Sequence, residues 1–409
     1  MLTRGGTVVI GAGHAGFAAA TSLRDTGVDG PVTLLDVHCG LPYQRPPLSK
    51  AYLLGKADRA RVAFRPAAYY ERREITLRTG QPAVAIDRSA RTVRLRSGET
   101  VGYDTLVLAT GARARPLPVP GHDLDGVLVL RTLPDADALR ARLETARRPV
   151  VIGGGFIGLE FAAVAAAGGT PVTIVEAAQR ILSRSVSAHT AAQLEKAHHG
   201  WGNTVRTGTG VQRIIGGPDG QAIGVRLADG TEITADLVVV GVGAVPETAL
   251  AESAGLAVDD GIVTDRYLRT SDPSVFAIGD CARIAERNGS RTRRRESVQN
   301  ATDQARTVAR TIGGAPAAYT ASPWFWSDQH QLKLQIAGDL TGYDEAVTAP
   351  GEGAFSTYCF RHGQLVAVES VNRPTDHVAA RKLLERTDVS LSQRAVGPGF
   401  ALADFLKFR

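Results

Sequence analysis

The sequence is poor in cysteine and in long apolar runs, and both shortages narrow its possible functions. It has three cysteines in 409 residues, Cys39, Cys281 and Cys359, and no two of them form a C-x-x-C pair. Neither they nor the nine histidines have the spacing of a metal site, so we expect no metal and no disulfide. The longest apolar stretches are far shorter than the ~20 residues that cross a bilayer. The first predicted strand begins by residue 7, which leaves no room for a signal peptide, and we expect a cytoplasmic protein with no membrane segment.

Basic residues outnumber acidic ones and give a formal net charge of +6. Arginines cluster at Arg72 and Arg73 and again between Arg291 and Arg295. Two interpretations stay open: an ordinary solvated surface, or a basic face that attracts an acidic partner. The sequence contains no recognisable nucleic-acid-binding module and no aromatic residues interleaved with the basic ones. We therefore do not expect a nucleic-acid partner.

A glycine pattern near the amino terminus predicts a dinucleotide site. Gly11-x-Gly13-x-x-Gly16 directly follows the apolar strand Val8–Ile10 and precedes a helical pattern, and Asp36 closes the next predicted strand. In this motif the first glycine permits a tight turn, the second lets a pyrophosphate approach the backbone, and the third packs the helix on the strand. The pyrophosphate then lies at the positive end of the helix, and the acid accepts hydrogen bonds from a ribose.

The same pattern occurs again 142 residues later. Gly153-x-Gly155-x-x-Gly158 follows the strand Val150–Ile152, and Glu176 takes the position that Asp36 has in the first copy. A single glycine triplet is weak evidence, whereas the complete arrangement of strand, loop, helix and acid is strong evidence. Two dinucleotide sites in one chain imply electron transfer between two bound cofactors.

Other short segments predict where further ligand contacts lie. Small residues, Ala109, Thr110 and Gly111, end the predicted strand 103–112 and would allow a ligand close to the backbone. Gly279 and Asp280 end another strand and precede sequence that is compatible with a helix. Asp280 is therefore either a ligand for a polyol hydroxyl at the carboxyl edge of the sheet or the N-cap of that helix.

The order of these segments predicts an α/β fold with three domains. Residues 1–116 and 244–319 form a Rossmann-like dinucleotide-binding domain that is interrupted by a second one, 117–243. From about residue 320 the pattern changes to short alternating strands and one helix, which predicts a C-terminal α+β domain over 320–409.

Several motifs together resemble one family. The segments GAGHAG, LPYQRPPLSK, VIGGGFIGLE, VFAIGDCA and PWFWSDQ are similar to those of the FAD- and NADH-dependent ferredoxin reductases that serve oxygenases, the putidaredoxin reductase-like group. This group lies within the glutathione reductase-type flavoproteins that bind two dinucleotides. PPLSK together with FWSDQ is the most specific part of the resemblance, which extends over nearly the whole chain.

The resemblance implies FAD in the first site and NADH in the second. Glu176 fits NADH because a carboxylate accepts ribose hydroxyls and repels the 2′-phosphate of NADPH, and Arg180 is the one nearby cation that could offset this. The implied FAD contacts are Gly11, Gly13, Ala15, Gly16, Asp36, Arg45, Lys50, Ala109, Thr110, Gly111, Arg113, Gly279, Asp280, Val298 and Trp326. The implied NAD contacts are Gly153, Gly155, Ile157, Gly158, Glu160, Glu176 and Gly243.

Three residues are implied to act at the flavin. Lys50 and Glu160 match a lysine and a glutamate beside flavin N5, where the carboxylate keeps the lysine ionised and the lysine polarises the flavin. Without the resemblance, Lys50 would be a helix cap and Glu160 a solvated residue in the first turn of a helix. Trp326 is implied to lie near the electron exit, whereas an aromatic cluster is by default a packing element. Glu296 and Gln299 fall in a segment that the family uses at the same site.

Two departures from the family pattern are visible. Glu247 stands where the family usually has asparagine, and Cys39 lies in CGLPY, which resembles the single-cysteine coenzyme A disulfide reductases and NADH oxidases or peroxidases. We expect Cys39 to be a buried, inert thiol, which is the commoner state of a free cysteine. The C-x-x-x-x-C dithiol of glutathione reductase relatives is absent, which excludes that type of disulfide reduction.

The predicted function is an NADH-dependent ferredoxin reductase. By resemblance, a hydride passes from NADH to flavin N5, and single electrons pass to an acidic [2Fe–2S] ferredoxin that docks on a basic face and feeds an oxygenase. Two alternatives stay open: a Cys39-dependent NADH oxidase, peroxidase or coenzyme A disulfide reductase, and a redox-sensing interaction flavoprotein like apoptosis-inducing factor. We expect a monomer or a weak dimer.

Overall fold

The computed structural model describes residues 5–285, 292–351, 353–386, 391–397 and 399–407. These form two compact units. Unit 1 contains 1–45, 58–113 and 244–321, and unit 2 contains 46–57, 114–243 and 322–409. The predicted boundaries of the three domains stay predictions, since the division into units follows a different grouping of the same segments.

The regular elements are numbered in chain order. The strands are β1 Thr7–Ile10, β2 Val32–Leu35, β3 Ile75–Arg78, β4 Ala83–Asp87, β5 Thr92–Leu95, β6 Thr100–Gly102, β7 Thr105–Leu108, β8 Ala112–Ala114, β9 Val127–Val129, β10 Pro149–Ile152, β11 Thr173–Val175, β12 Thr204–Arg206, β13 Val211–Gly216, β14 Ala222–Leu227, β15 Glu232–Thr234, β16 Leu237–Val240, β17 Ala244–Pro246, β18 Ile262–Thr264, β19 Val275–Ala277, β20 Ala282–Ala285, β21 Thr292–Arg294, β22 Trp324–Gln329, β23 Leu332–Gly338, β24 Glu345–Gly351, β25 Ala354–Arg361 and β26 Gln364–Val371. The helices are α1 His14–Asp25, α2 Arg59–Val62, α3 Ala67–Arg72, α4 Leu133–Leu143, α5 Phe156–Ala167, α6 Ala188–Gly200, α7 Ala249–Ser253, α8 Val298–Ile312, α9 Pro374–Glu385 and α10 Leu402–Lys407, with 3₁₀ turns at Pro46–Ser49, Gly279–Cys281 and Gln393–Ala395.

Unit 1 is built on a parallel sheet with the strand order β19-β7-β1-β2-β3. Every residue of β1 is buried, as expected for a strand covered on both faces. Val9 packs with the small residues of α1 and α8 on one face. Val8 and Ile10 pack on the other face with the antiparallel sheet β4-β5-β6. Alternation of side chains along one short strand therefore joins three layers.

Unit 2 contains a second parallel sheet, in the order β12-β11-β10-β16-β9. Helix α5 is buried from Gly158 to Ala165, because it is apolar and rich in alanine on all sides. The antiparallel sheet β13-β14-β15 shares a core with this parallel sheet through Val150, Ile214 and Val225.

The C-terminal part of unit 2 is an antiparallel sheet, β22-β23-β26-β25-β24. Helices α9 and α10 pack against it through Ala380, Leu383 and Leu402. The structure thus has two Rossmann-like sheets and an α+β C-terminal domain, which confirms the predicted fold class.

Candidate cofactor and active sites

The predicted FAD residues of unit 1 follow strands that end at one edge of the sheet. Ile10, the last residue of β1, is paired with Leu35 of β2 and with Leu108 of β7, and Leu108 is paired with Ala277 of β19. Because these strands are parallel and in register, the residues that follow them meet at the same carboxyl edge, where open α/β sheets bind ligands. The segments brought together there are Gly11–Gly16, Asp36, Ala109–Gly111 and Gly279–Asp280.

Crowding around the first glycine triplet matches the roles predicted for its members. A Cβ on Gly11, whose φ is +100°, would lie 2.3 Å from the Ala109 carbonyl oxygen, and one on Gly16 would lie 1.7 Å from the Gly11 carbonyl oxygen. A Cβ on Gly13 would meet only the Arg45 Nε, at 3.9 Å. The outer glycines are thus required by the protein's own backbone, whereas the middle one leaves open space where a pyrophosphate would approach. This space fits FAD.

Asp36 and Arg45 lie beside the same loop. Burial raises the pKa of the Asp36 carboxyl above its usual range, while the neighbouring His38 and, to a smaller extent, Arg45 act to lower it. The Asp36 amide donates to the Arg78 carbonyl at 2.9 Å, so the backbone after β2 is held to β3. An acid held at this strand end is suited to ribose hydroxyls, and the nearby Arg45 is suited to phosphate.

Glu247 has a contact that the sequence did not predict. Its Oε1 lies 3.1 Å from the Nε of Arg113, a predicted FAD residue. The Glu247 carbonyl accepts a hydrogen bond of 2.6 Å from Thr110 Oγ1, and its amide donates to the Gly111 carbonyl at 2.9 Å. The residue that departs from the family pattern therefore holds the loop that follows β7.

The segment around Asp280 differs from one of the two predictions. Asp280 is within a 3₁₀ turn whose N-cap is Ile278, and the strand β20 follows instead of a helix. The helix and the N-cap role were therefore wrong, because the chain after the turn pairs in parallel with β18. Gly279, with φ +75°, donates its amide to Gln304 Oε1 at 2.7 Å, which ties the turn to α8.

Helix α8 begins at the predicted FAD residue Val298. Its N-cap, Ser297, accepts a hydrogen bond of 3.0 Å from the Asn300 amide. Just before it, Glu296 forms an ion pair with Arg294. Gln299 is buried and donates to Asp303. No role at a cofactor follows for Glu296 or Gln299 from these contacts.

The second glycine motif, Gly153-x-Gly155-x-x-Gly158, lies in unit 2 and repeats the geometry of the first. A Cβ on Gly153, whose φ is +109°, would lie 2.5 Å from the Gly241 carbonyl oxygen, and one on Gly158 would lie 2.4 Å from that of Gly153. A Cβ on Gly155 would meet only the Gly241 carbonyl oxygen, at 3.7 Å. The space beside Gly155 fits a second dinucleotide. Gly243 follows the adjacent strand β16 with φ +107°, at the same edge.

Backbone amides hold the Glu176 side chain, one of them in the loop of the second glycine motif. Its Oε2 accepts the Gly154 amide at 2.7 Å, and its Oε1 accepts the Ala178 amide at 2.8 Å. Both amides hold the carboxylate at the end of β11, the position that the motif uses for a ribose. Ile157, in the first turn of α5, is 43% exposed, which is unusual for isoleucine and suits contact with a ligand.

Two arginines bear on the choice between NADH and NADPH. Arg180 donates to the carbonyls of Ser183 and Val186, both at 2.9 Å, so its guanidinium is already engaged by its own loop. Arg206, which sequence reasoning missed, ends β12, is exposed and is paired in register with Val175, one residue before Glu176. Its signal in the sequence was its place at the end of the strand following that of Glu176.

Lys50 and Glu160 form an ion pair inside unit 2. Lys50 Nζ lies 2.7 Å from Glu160 Oε2, and the side chains are 20% and 3% exposed, respectively. Lys50 Nζ also donates to the Pro46 carbonyl at 3.3 Å, at the start of the 3₁₀ turn that presents it. The alternative of a solvated Glu160 is wrong, because α5 is buried around this residue.

Two serines that sequence reasoning missed complete the surroundings of Glu160. Ser49 Oγ donates to Oε2 at 2.5 Å, and Ser327 Oγ donates to Oε1 at 2.7 Å. The carboxylate therefore has three side-chain donors, which is how proteins compensate a buried charge. Both serines stand inside the recognised motifs PPLSK and FWSDQ, which was the available signal.

Trp326 lies on the opposite face of β22 from Ser327. It is half-buried, and its ring centroid is 5.6 Å from that of Trp324. On the other face, Phe325 packs on Phe156 of α5 at 4.5 Å. The default packing role thus applies to Phe325, while Trp326 is half-buried beside Trp324.

Cys39 is exposed, so the expectation of a buried thiol was wrong. It lies in the loop after β2, where its Sγ would be 2.8 Å from a Cβ on Gly80. Cys281 and Cys359 are the buried cysteines, and burial raises the pKa of both thiols.

The remaining predictions concern the basic cluster, membrane-spanning segments and metal binding. Of the predicted basic cluster, Arg291 lies outside the described residues. Among the described residues no helix is long and apolar enough to cross a membrane, and no group of three or more histidine, cysteine or acidic side chains is placed to hold a metal.

Comparison with known proteins agrees with this geometry. Residues 6–305 match the pyridine nucleotide-disulphide oxidoreductase family, and residues 324–406 match the reductase C-terminal family. The chain is 49% identical to rhodocoxin reductase of Rhodococcus erythropolis over 92% of its length and 88% of that protein.

Two solved structures are similar to almost the whole chain. The ferredoxin reductase of the CYP199A2 system from Rhodopseudomonas palustris has a TM-score of 0.94 at 44% identity, covering 98% of this chain and 99% of the other. The reductase in the covalent putidaredoxin reductase–putidaredoxin complex has a TM-score of 0.94 at 37% identity, covering 99% of each chain. These matches confirm the predicted resemblance, and the chain belongs to the pyridine nucleotide-disulphide oxidoreductase family, in the group of ferredoxin reductases with a reductase C-terminal domain.

Proposed function

We propose that this protein is an FAD-containing reductase that takes a hydride from NADH and passes single electrons to a [2Fe–2S] ferredoxin serving an oxygenase. Rhodocoxin reductase, ferredoxin–NAD(P)⁺ reductase and putidaredoxin reductase are among its relatives, which supports an oxidoreductase that uses FAD and a nicotinamide dinucleotide. The observation that carries the proposal is the ion pair between Lys50 and Glu160. Glu160 belongs to α5, the helix that follows the second glycine motif.

Bound FAD would supply the redox chemistry, accepting two electrons as a hydride and releasing them one at a time. The residues of unit 1 hold it through the open space at Gly13, the acid Asp36 and the cation Arg45. Further contacts in unit 1 come from Gly11, Ala15, Gly16, Ala109, Thr110, Gly111, Arg113, Gly279, Asp280 and Val298.

The residues of unit 2 bind NADH and prepare the reacting end. Gly155 leaves space for the pyrophosphate, Glu176 accepts ribose hydroxyls, and Ile157 offers an apolar surface. Gly153, Gly158 and Gly243 shape the same edge. A carboxylate at position 176 opposes the 2′-phosphate of NADPH electrostatically, and Arg180 is engaged elsewhere.

Lys50 and Glu160 act as a pair. An ammonium beside the flavin favours added negative charge there, and Glu160 keeps the lysine ionised in a setting where burial would favour the neutral amine. Ser49 and Ser327 fix the two oxygens of the carboxylate. Trp326, which is half-buried, would lie near the path by which electrons leave.

The partner is an iron–sulfur ferredoxin, and we infer that it is acidic and docks on a basic face, since the net charge is +6. We also infer a monomer or weak dimer that works in the cytoplasm. The two alternatives from the sequence, a Cys39-dependent enzyme and a redox sensor, have less support because the relatives named above are redoxin reductases.

The test is anaerobic stopped-flow mixing of the FAD-loaded protein with NADH and, separately, with NADPH, followed by oxidised rhodocoxin or putidaredoxin. We expect flavin bleaching by NADH at least about tenfold faster than by NADPH, because the Glu176 carboxylate repels the 2′-phosphate of NADPH. A tenfold difference corresponds to ~1.4 kcal/mol. Reoxidation by a redoxin should follow. The absence of bleaching by NADH would refute the proposal, and Lys50→Met should slow bleaching without preventing FAD binding.

A further inference from the structure

A line of buried polar side chains leads from Glu160 into the interior of unit 2. Its members are Glu160, Ser327, Gln329, His198 and Asn203, which are 3%, 0%, 1%, 0% and 3% exposed. Four side-chain contacts join them in this order, and we call them the donor chain. No member except Glu160 was singled out by the sequence.

The direction of the donor chain follows from its far end. Asn203 Oδ1 accepts the Val172 amide at 2.8 Å, so the Asn203 Nδ2 faces His198 Nδ1, 3.0 Å away. An amide nitrogen only donates, and Nδ1 must therefore accept. A neutral imidazole that accepts at Nδ1 carries its proton on Nε2, which then donates to Gln329 Oε1 at 3.1 Å.

The remaining steps are fixed in the same way. With its Oε1 toward His198, Gln329 presents Nε2 to Ser327 Oγ at 3.2 Å. The serine oxygen accepts this bond and donates its own hydrogen to Glu160 Oε1 at 2.7 Å. Each of the four hydrogen bonds that join the donor chain thus points toward the carboxylate of Glu160.

The protonation state of His198 agrees with this order. Burial lowers the pKa of His198 to about 4, against a smaller opposite effect of its hydrogen bond to Gln329. The ring is therefore neutral at neutral pH and can accept at one nitrogen. A smaller electrostatic effect of the neighbouring His199 also lowers the pKa of His198.

Strand alternation explains why the donor chain forms. Successive side chains of β22 point to opposite faces, so Phe325, Ser327 and Gln329 share one face. Phe325 packs on α5 and Gln329 contacts α6 through His198. The half-buried tryptophans, Trp324 and Trp326, occupy the other face.

We propose that Ser327, Gln329 and His198 are positioning residues for the Lys50–Glu160 pair. The oriented hydrogen bonds hold Glu160 Oε1, which leaves Oε2 facing Lys50 Nζ and Ser49 Oγ. Hydrogen bonds in one direction polarise each other, so the last donor to the carboxylate is strengthened by those behind it. This inference rests on the proposed function, in which Lys50 and Glu160 serve the reacting flavin.

The first test reads the donor chain without any turnover. Histidine-labelled ¹⁵N NMR of the FAD-loaded protein should show His198 as a neutral ring with its proton on Nε2 between pH 5.5 and 8. The signal is assigned by its loss in His198→Gln. A ring protonated on Nδ1, or a charged ring at neutral pH, would overturn the proposed direction.

The second test compares two serine substitutions of the same kind. Ser327→Ala removes the donor to Glu160, and Ser356→Ala removes a fully buried hydroxyl that donates to Asp376 at 2.8 Å, in the same sheet. We expect Ser327→Ala to slow flavin reduction by saturating NADH about three- to tenfold, the usual effect of one hydrogen bond, with little change in the apparent affinity for NADH. Ser356→Ala should leave this rate unchanged. Equal effects of the two substitutions would overturn the proposal.

The third test asks whether a donor restored at position 198 restores the rate of flavin reduction. His198→Phe keeps the ring but removes the donor to Gln329, whereas His198→Gln places an amide nitrogen near the position of Nε2. We expect His198→Phe to reproduce the slower flavin reduction and His198→Gln to recover at least half of the lost rate. Equal rates of flavin reduction in both variants would contradict the proposal. This comparison decides the matter even if Ser327→Ala does not fold. Failure of the proposed function is distinct, since the wild-type flavin would then not be reduced by NADH.

Discussion

Glu247 Oε1 and Arg113 Nε are 3.1 Å apart, so the chain places a carboxylate beside a cation that we propose to contact FAD. The side chains are 39% and 56% exposed, which limits the strength of the pair to well under about 1 kcal/mol. The pair nevertheless reduces the positive charge that Arg113 would offer to bound FAD, at the position where the family pattern has asparagine.

Glu247→Asn should therefore strengthen FAD binding slightly. We expect the dissociation constant of FAD to fall by up to about twofold at low salt, with a smaller effect at high salt because the pair is exposed. Titration of the apoprotein with FAD, followed by flavin fluorescence, measures this. The matched control is Glu252→Gln, since Glu252 accepts a hydrogen bond from Thr248 and has no arginine partner in the part of the chain that the structure describes. An unchanged or weaker affinity in Glu247→Asn would contradict the role assigned to Arg113.

Glu176→Ala should reduce the preference for NADH. The carboxylate is fixed by two backbone amides, and its removal takes away both the ribose acceptor and the repulsion of a 2′-phosphate. We expect the ratio of kcat/KM for NADH to that for NADPH to fall about tenfold or more. The ratio is independent of the fraction of folded protein.

Arg206 supplies the control for that substitution. It is the exposed cation at the end of the neighbouring strand, so Glu176→Ala/Arg206→Ala should lose the gain in NADPH use that Glu176→Ala provides. If the double variant uses NADPH as well as the single variant does, the phosphate is bound elsewhere.

The sequence was sufficient to predict both dinucleotide folds because the signals are local. Gly11 and Gly153 each follow a buried strand, and the crowding around them comes from neighbouring backbone that any such loop would have. Asp36 and Glu176 were found in the same way, by their place after the next strand. Lys50 and Glu160 needed the resemblance, since 110 residues separate them.

What the sequence could not predict depends on tertiary contacts. Ser327 and His198 look like ordinary polar residues of a strand and a helix until packing brings Ser327 to Glu160 and His198 to Gln329. The helix expected after Asp280 is replaced by β20, because pairing with β18 outweighs local preference. The exposure of Cys39 is likewise set by tertiary structure, since it depends on how the loop after β2 lies beside Gly80.

Cys39→Ser tests whether that exposed thiol takes part in the reaction. In the proposed function it does not, so we expect the rate of NADH-driven, ferredoxin-dependent cytochrome c reduction to change by less than about twofold, which is under ~0.5 kcal/mol. Loss of NADH turnover with peroxide or a disulfide as acceptor would instead favour the Cys39-dependent enzyme. Cys281→Ser is an unsuitable control because Cys281 is fully buried.

His377→Phe should stabilise the protein and reduce its sensitivity to acid. His377 is 2% exposed, neither of its ring nitrogens has a hydrogen-bond partner among the described residues, and its ring lies 5.6 Å from that of Trp324, a contact that phenylalanine can keep. We expect the free energy of unfolding at pH 7 to rise by about 1–2 kcal/mol, since a buried unsatisfied group is removed.

The pH dependence of this difference has a definite sign. Burial, with a smaller contribution from Arg381, lowers the pKa of His377 from 6.5 to about 4, so between these values the unfolded chain binds a proton that the folded protein does not. Folding stability is therefore full above pH 6.5 and falls as the pH drops toward 4, by up to about 3 kcal/mol at ~1.4 kcal/mol per pH unit. His377→Phe removes this share, while Asp36 and Glu369, whose raised pKa values act in the opposite direction, are common to both proteins and cancel in the difference. Urea unfolding of the two proteins at pH 7, 5.5 and 4.5 measures it. A stability difference that stays constant over this range would mean that His377 titrates normally in the folded protein.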